Sequence, residues 1–310
     1  MASIITITFN PSIDKSTTVP QLLPEKKLKC TAPVFEPGGG GINVARALKK
    51  LGADATAVFL AGGYTGDFFT KLLGKEQITS SVIDIVGHTR ENVIIRDTST
   101  NLQYRFGMPG PEIEVAEYEK LLAVIEKLTG VDFIVASGSL SKGIPVDIFA
   151  RIAVIAKRIN AKCIVDTNGE ALQLAVEAGV YLIKPNLGEL SALAGLGELP
   201  PGMIAEAARL VIAKGKCDYV VVSMGAAGAM LVTNEMAKQI TAPDVIRQST
   251  VGAGDSMVAG IVYGLSAGNN ILQAAQFGVA CGTAATMNPG TELCRAEDAN
   301  RLYAMILQQG

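Results

Sequence analysis

Along the chain, stretches whose apolar positions have the spacing of a β-strand alternate with stretches whose apolar positions have the spacing of an α-helix. Between residues 114 and 128 they recur every three or four positions, which predicts an amphipathic helix, whereas short β-rich apolar runs predict strands. Strands are predicted at 4–9, 54–60, 132–136, 162–166, 181–183 and 219–223, and helices at 42–51, 65–73, 114–128, 146–158, 170–177, 203–214 and 257–265. Strands separated by helices in this way indicate an α/β fold with a mostly parallel sheet covered on both faces.

Two segments, 15–35 and 88–106, interrupt this order and have no helical period. The second contains two β-prone runs on either side of the polar stretch 98–101, as in a hairpin. We expect the two segments to form a small β-sheet extension that serves as a lid, a dimer surface or both. The remaining ranges, 1–14, 36–87 and 107–310, are expected to form one main domain.

Composition excludes several classes of function. Of 310 residues, 49% are hydrophobic, and the formal net charge of −2 argues against a nucleic-acid partner. A single histidine, His88, excludes most zinc sites and weakens any Ser-His-Asp proposal. The five scattered cysteines are expected to be reduced thiols. Neither a basic leader nor an unbroken apolar span is visible, so we expect a cytoplasmic protein without a membrane segment.

The strongest chemical signal is the stretch 250–256, with sequence TVGAGDS. Small residues precede Asp255, and an apolar helix follows and ends near Gly268. The free N–H groups of such a helix start bind anions, and a carboxylate among them could accept a proton. Phosphoryl transfer to a hydroxyl needs both parts. A turn capped by Asp255 explains the same residues, and the two interpretations stay open at this point.

A second glycine-rich helix start lies at 37–46, with sequence PGGGGINVAR. Four consecutive glycines cost backbone entropy, and close approach to a ligand is the usual reason to tolerate them. Asn43 stands where a dinucleotide fingerprint has its third glycine, and the chain has no Walker P-loop. The alternative is a flexible loop.

Further candidates are weaker by themselves. Asn186 and Glu189 could orient Mg²⁺-bound water near a nucleotide, or could form a capping box. The stretch 223–228 could approach phosphates, or could be a plain hairpin. Asp14 follows a strand and could bind a ligand or form a turn. Three cations of the β segments, which would otherwise be surface charges, could bind a phosphorylated substrate: Lys27, Arg90 and Arg105.

Four of these stretches, 38–46, 186–189, 223–228 and 250–256, resemble in order the motifs of the ribokinase-like (PfkB) carbohydrate kinase family. Residues 28–46 and 248–251 are most similar to its 6-phosphofructokinase branch. The resemblance spans essentially the whole chain. It implies a three-layer α/β sandwich with a β-sheet lid that also forms a homodimer interface. It also implies ATP with Mg²⁺ as phosphoryl donor and fructose 6-phosphate as acceptor.

The resemblance also implies roles for individual residues. Asp255 would be the base, and Gly252, Ala253 and Gly254 would form the anion hole. By this resemblance the sugar hydroxyls would be held by Asp14, Gly39, Asn43 and Ser139, and the existing phosphate by Arg90. Gly40 and Arg105 would be further substrate contacts, and Lys27 would reach the partner's site. The implied ATP contacts are Lys184, Asn186, Ser223, Gly225, Gly228 and Thr250, with Glu189 acting on Mg²⁺ through water.

A monovalent-cation loop, with K⁺ as the implied ion, would comprise Ser249, Val251, Ala285, Asn288, Gly290 and Glu292. Gln248 stands where many sugar kinases of the family have Asp, which leaves a cation requirement open. Within the family, 1-phosphofructokinase or tagatose-6-phosphate kinase is the alternative activity. Outside this class, the alternatives are a catalytically silent sugar-phosphate sensor and a dinucleotide-dependent oxidoreductase. The intact Asp255 and Glu189 argue against the sensor, and the missing fingerprint argues against the oxidoreductase.

Overall fold

The structure is a computed structural model that describes residues 2–200, 202–215 and 217–309. Strands and helices follow one another in this part of the chain. The strands are β1 (Ile4–Thr8), β2 (Ser12–Val19), β3 (Val34–Gly38), β4 (Thr56–Ala61), β5 (Thr79–Asp84), β6 (Arg90–Asp97), β7 (Gln103–Phe106), β8 (Phe133–Ser137), β9 (Lys162–Asp166), β10 (Val180–Ile183), β11 (Cys217–Ser223), β12 (Ala229–Val232) and β13 (Ala237–Ile240). The helices are α1 (Gly40–Lys50), α2 (Gly63–Lys75), α3 (Val115–Glu126), α4 (Ile148–Arg158), α5 (Gly169–Ala178), α6 (Leu187–Ala194), α7 (Ile204–Lys214), α8 (Ala253–Ser266), α9 (Ile271–Thr286) and α10 (Ala296–Gln309).

The large sheet has nine strands in the order β13-β12-β11-β10-β9-β8-β1-β4-β5. All pairs from β11 to β5 are parallel, and β12 and β13 extend one edge in antiparallel fashion. Alternate residues of the strands enter two separate cores, one on each face, as in β1, where Ile4 packs on one side and Ile5 on the other. The predicted α/β sandwich with a mostly parallel sheet is confirmed.

The small sheet has the order β3-β2-β6-β7 and joins the two β segments that the sequence sets apart. Its central pair, β2 and β6, is parallel, and the outer pairs are antiparallel. It begins at Ser12, ahead of the predicted segment, because residues 12–16 pair with β3 and residues 12–19 pair with β6. Asp14 therefore lies inside a strand rather than in a turn. Within the segment 15–35, residues 28–33 are outside regular structure, and the strand that pairs with β2 is β3.

Helices α8 and α9 form a tightly packed pair in one of the cores. A Cβ added to Gly260 would lie 2.7 Å from Cys281 Sγ, and one added to Gly278 would lie 2.5 Å from Ile261 Cγ1. The two helices can approach this closely only because glycine stands at these positions. This packing fixes the position of α8, whose first turn carries Asp255. Among the residues that the structure describes, no helix is long and apolar enough to cross a membrane.

Candidate active site

Asp255 lies in the first turn of α8, directly after the turn predicted to bind an anion. Gly252 precedes the helix with φ 73°, a left-handed conformation that favours glycine. A Cβ at this position would also lie 2.7 Å from Leu293 Cδ2. The N–H groups of the first helical turn lack partners within the helix and carry the positive end of its dipole. The structure therefore brings a carboxylate and an anion-binding turn to the same helix start.

The glycine-rich start of α1 lies opposite this turn. Gly39 precedes the helix with φ 115°, and a Cβ on Gly40 would lie 2.3 Å from Ser137 Oγ. These glycines allow α1 to begin against the carboxyl end of the parallel sheet, where ligands of open α/β sheets bind. Asn43, on the first turn of α1, donates from Nδ2 to Asp255 Oδ2 at 2.9 Å. The glycines are thus part of a packed helix start rather than a flexible loop.

Lys184 supplies a buried positive charge beside Asp255. Its Nζ lies 3.3 Å from Asp166 Oδ1 and would lie 3.3 Å from a Cβ on Gly254. Burial lowers the pKa of Lys184, but the charges of Asp166 and Asp255 more than offset this, so that the pKa is raised and the ammonium stays charged. A cation, an anion-binding turn and a carboxylate therefore converge at this point.

The pKa of Asp255 is raised to about 6, first by burial and then by the negative charge of Asp166. The hydrogen bond from Asn43 and the charge of Lys184 act in the opposite direction. A carboxylate with such a pKa is a stronger base than an ordinary aspartate and is still ionised at neutral pH.

On the side of the small sheet, Asp14 accepts hydrogen bonds from Asn92 Nδ2 and Ser12 Oγ, both at 2.9 Å. Burial raises its pKa, and these hydrogen bonds and the Arg90 charge oppose the rise. A Cβ on Gly38 would lie 2.5 Å from Asp14 Oδ2, so the neighbouring strand leaves room for this carboxylate. Arg90 donates to the main-chain oxygens of Asn10 and Met108, both at 3.1 Å.

A cleft of about 330 Å³ lies on the opposite side of the turn. The predicted nucleotide residues Ser223, Gly225, Gly228 and Thr250 line it, together with Ala253 and Gly254. The stretch 223–228 is indeed the connection of the β11–β12 hairpin, so the hairpin interpretation is correct and the same turn also borders the cleft.

Asn186 and Glu189 lie at the start of α6 as a capping box. Asn186 Oδ1 accepts from the Glu189 N–H, and Glu189 Oε2 accepts from the Asn186 N–H, each at 2.9 Å. The capping interpretation is therefore correct. It leaves one Glu189 carboxylate oxygen outside the box, so a second role toward a metal-bound water stays a prediction. Asn186 also pairs with Ser223 in a parallel bridge, which brings the two nucleotide-side motifs together.

The predicted cation loop comes together from two parts of the chain. Ser249 Oγ donates to the Gly290 carbonyl at 2.7 Å and accepts from the Val251 N–H at 3.2 Å. The Asn288 N–H donates to the Ala285 carbonyl at 3.2 Å. The Glu292 side chain is bound to Arg295, which lowers the pKa of Glu292.

Two predicted phosphate contacts are not brought into the site of the single chain. Lys27 and Arg105 are exposed on the small sheet and its loop, and the described contacts give neither side chain a hydrogen bond or ion pair. Two site residues were not predicted, Asn92 and Asp166. Asp166 is the last residue of β9. A carboxylate at the end of a predicted strand is the same signal that makes Asp14 a candidate after β1, and it could have identified Asp166. Asn92 is identified only by strand pairing, since it is the cross-strand neighbour of Asp14.

Comparison with known proteins bears on the identity of this site. The sequence model of the pfkB family carbohydrate kinases matches residues 7–298. The chain is 42% identical to the ATP-dependent 6-phosphofructokinase isozyme 2 of Escherichia coli (strain K12) over 307 residues, which are 99% of both chains. It is 32% identical to the 1-phosphofructokinase of Bacillus subtilis (strain 168) over 93% of this chain and 95% of that protein.

The fold agrees with the sequence. A crystal structure of the E. coli phosphofructokinase-2 in complex with potassium superimposes with a TM-score of 0.94, at 42% identity, and covers 99% of this chain and 100% of that chain. The match extends over the large sheet, the small sheet and every motif described above. The chain belongs to the pfkB family of carbohydrate kinases.

Proposed function

We propose that the protein is an ATP-dependent 6-phosphofructokinase, which transfers the terminal phosphoryl group of ATP to the 1-hydroxyl of fructose 6-phosphate. The 42% identity to the E. coli 6-phosphofructokinase over nearly all of both chains supports this substrate. The single observation that carries the chemistry is Asp255, which has its raised pKa at the anion-binding start of α8, within hydrogen-bond distance of Asn43.

In this proposal Asp255 accepts the proton of the 1-hydroxyl while the hydroxyl oxygen bonds to the terminal phosphorus and ADP leaves. The transition state of phosphoryl transfer is loose, and its charge lies largely on the phosphoryl oxygens. The N–H groups of Gly252, Ala253 and Gly254, with the Lys184 ammonium close to Gly254, stabilise that charge. Asn43 orients the carboxylate toward the hydroxyl.

On the acceptor side we assign the sugar hydroxyls to Asp14, Gly39, Gly40 and Asn43. We assign Ser139, which was expected on a sugar hydroxyl, to the existing phosphate together with Arg90, because both are bound to Asn10. Asp14 is held by two hydrogen bonds, which fix its orientation toward a hydroxyl donor. Arg90 keeps three of its five N–H donors after its two bonds to main-chain oxygens, enough to bind a phosphate. An unphosphorylated sugar has no use for this cation.

On the donor side we assign ATP to the cleft lined by Ser223, Gly225, Gly228 and Thr250, with Lys184 and Asn186 beside it. Its volume of about 330 Å³ and its glycine-rich turn fit a nucleotide with phosphates close to the backbone. Within the described residues no cluster of three or more His, Cys, Asp or Glu side chains could hold a metal. This fits Mg²⁺, which usually binds through substrate phosphates and water, and Glu189 would contact such a water.

The carbonyl-rich segments 249–251 and 285–292 fit a monovalent cation, because Ser249 and Gly290 are adjacent and carbonyl oxygens suit a hard ion. The E. coli relative binds potassium in its crystal structure. Such an ion, when bound, would add positive charge beneath the anion-binding turn. Whether this chain requires it is tested by assaying activity in potassium against sodium or tetramethylammonium salts.

We further propose that the segments 15–35 and 88–106 act as a lid, and that a homodimer forms through the small sheet to which they contribute strands. The edge strand β7 is exposed along its length, and Tyr104 and Phe106 are exposed aromatic residues on it. An edge strand that leaves one side unpaired and exposes aromatic side chains is a surface that a partner can cover. The side chains of Lys27 and Arg105, for which the described contacts show no hydrogen bond or ion pair, would then be available to the partner's site.

The direct test is the substitution Asp255→Asn, assayed by ADP formation with fructose 6-phosphate. We expect turnover to fall by a factor of at least about 10³, whereas ATP binding measured by calorimetry stays close to that of the unmodified protein. Full activity of this variant would disprove the role of Asp255.

The identity to a 1-phosphofructokinase, 32%, makes that activity the second candidate. A panel of fructose 6-phosphate, fructose 1-phosphate and tagatose 6-phosphate separates the candidates by kcat/KM. The proposed function predicts the highest value for fructose 6-phosphate, and a higher value for either of the others would replace it.

A further inference from the structure

Asn10 contacts both of the groups assigned to the sugar phosphate. It follows β1 and is 7% exposed. Its Nδ2 donates to Ser139 Oγ at 3.1 Å, and its main-chain oxygen accepts from Arg90 Nη2 at 3.1 Å. Arg90 begins a strand of the small sheet, and Ser139 follows β8 of the large sheet. Asn10 therefore links the two assigned phosphate contacts, which come from different sheets.

The hydrogen-bond direction at Ser139 has a chemical consequence. A serine hydroxyl has one donor and two acceptor positions. Because Asn10 Nδ2 is a donor, it occupies an acceptor position of Ser139 Oγ and leaves the hydroxyl proton free. Ser139 is exposed, so without this contact its hydroxyl would rotate freely and bind water. The contact holds Ser139 as a hydrogen-bond donor, which is the form that a phosphate oxygen requires.

The surroundings of Asn10 are polar and incompletely paired. Asn10 Oδ1, Ser141 Oγ and Arg90 Nε are buried, and none has a hydrogen-bond partner among the residues that the structure describes. A Cβ on Gly110 would lie 2.3 Å from Asn10 Oδ1 and 2.4 Å from Ser141 Oγ, so a larger residue at this position would displace both side chains. Unpaired buried polar atoms are costly in a merely structural region and are typical of a ligand site.

We propose that Asn10 is a positioning residue for the sugar phosphate: it orients Ser139 as a donor and holds the Arg90 guanidinium beside it. This inference rests on the proposed function. It distinguishes Asn10 from the residues that touch the reacting atoms, because Asn10 acts through Ser139 and Arg90. Its substitution therefore changes the binding of the sugar phosphate and leaves the binding of ATP and the chemical step unchanged.

The test is the steady-state kinetics of Asn10→Ala. We expect the KM of fructose 6-phosphate to rise about tenfold, the effect of one misplaced hydrogen bond to a charged group. The KM of ATP and kcat should stay within about twofold. A general loosening of the site would instead raise both KM values or lower kcat, and that result would overturn the inference.

A double-mutant cycle separates an indirect role from a direct one. Asn10→Ala keeps the main-chain oxygen that accepts from Arg90 and removes only the side-chain bond to Ser139. The variant that combines Asn10→Ala with Ser139→Ala should therefore have nearly the KM of Ser139→Ala alone. Fully multiplicative effects on the KM of fructose 6-phosphate would contradict the proposed route. Asn10→Asp is near-isosteric and leaves no cavity. It removes the N–H donor and adds a negative charge, so it should raise the KM of fructose 6-phosphate more than Asn10→Ala does.

Ile152→Val is the matched control for lost stability, because Ile152 is buried in the hydrophobic core on α4 and is not one of the residues assigned to the site. It should cost about 1 kcal/mol of stability and leave both KM values unchanged.

The two proposals fail differently. If the unmodified protein does not turn over fructose 6-phosphate, the proposed function is wrong. If it does and Asn10→Ala leaves the KM of fructose 6-phosphate unchanged, only the role of Asn10 is wrong.

Discussion

Replacing Asp255 by Asn should stabilise the folded protein at neutral pH while it removes catalysis. Asp255 is enclosed at the start of α8, and its carboxylate loses hydration there that the hydrogen bond from Asn43 and the charge of Lys184 only partly replace. An asparagine has the same shape and can still accept the bond from Asn43. It carries no charge that must be buried.

The size of the effect follows from the pKa. Burial and the Asp166 charge raise the pKa of Asp255 from 3.8 to about 6. One unit corresponds to about 1.4 kcal/mol, so the ionised carboxylate costs the folded state on the order of 3 kcal/mol. With an unfolding entropy of about 2.1 cal/mol/K per residue, a chain of 310 residues should gain about 5 °C in Tm.

The sign of the pH dependence gives the sharper test. Because the folded pKa lies above the unfolded one, the folded state binds more protons than the unfolded state between pH 3.8 and about 6. The free energy of unfolding therefore falls as the pH rises through this window, and the full cost is present above about pH 7. The gain of Asp255→Asn should be complete at pH 8 and vanish near pH 4.

The assay is thermal or denaturant unfolding of both proteins at pH 8, 6 and 4.5 without ligands. Asp166→Asn is the matched control, because Asp166 is the direct ion-pair partner of the buried Lys184. Loss of the Asp166 charge leaves the buried Lys184 ammonium with less compensating negative charge, so this variant should be destabilised. A Tm of Asp255→Asn that is unchanged or lower at pH 8, or a gain of equal size at all three pH values, would refute the reasoning.

Three further outcomes are expected. The kcat/KM for fructose 6-phosphate should fall about tenfold per pH unit below pH 6, since Asp255 must be ionised to accept a proton; a profile flat to pH 5 would contradict this. Gly38→Ala should raise the KM of the sugar phosphate about tenfold and leave that of ATP unchanged, because its Cβ displaces the Asp14 carboxylate; equal changes in both KM values would argue against a local effect. Asn186→Ala should cost about 1 kcal/mol of stability through the lost cap, whereas Glu189→Gln should keep Tm and weaken only the activation by Mg²⁺, as measured by Mg²⁺ titration of activity.

The alternation of strands and helices could be predicted because most strands of the large sheet are apolar runs buried on both faces. β5 was not predicted because residues 79–84 are largely polar and the strand lies at the edge of the sheet. Asp14 was expected in a turn, since Asn10 and Pro11 before it are turn residues. Its place in a strand depends on pairing with β3 and β6, which no local pattern contains.

The site was predicted as separate helix starts, and their meeting is a property of the fold alone. Asn43 and Asp255 are 212 positions apart, and their hydrogen bond follows from packing of α1 and α8 against the same edge of the sheet. Asp166 lies at the end of a predicted strand, as does the candidate Asp14, so the sequence contained the signal that could have identified it. The motif resemblance compensated for much of this, because it relates distant stretches to one another through a known fold. Local chemistry alone left a turn and an anion site equally open at Gly252.

Lys184 explains why this site can hold two partly buried carboxylates before any substrate enters. Its ammonium lies against Asp166 and close to Gly254, so Asp166 offsets its charge and only part of its field reaches Asp255. The pKa of Asp255 consequently stays high enough for a base, yet low enough for ionisation at neutral pH. Entry of a sugar phosphate would exclude more water and raise the cost of this charge, while the 1-hydroxyl would be the nearest proton source. Substrate binding should therefore strengthen Asp255 as a base at the moment when a proton is to be accepted.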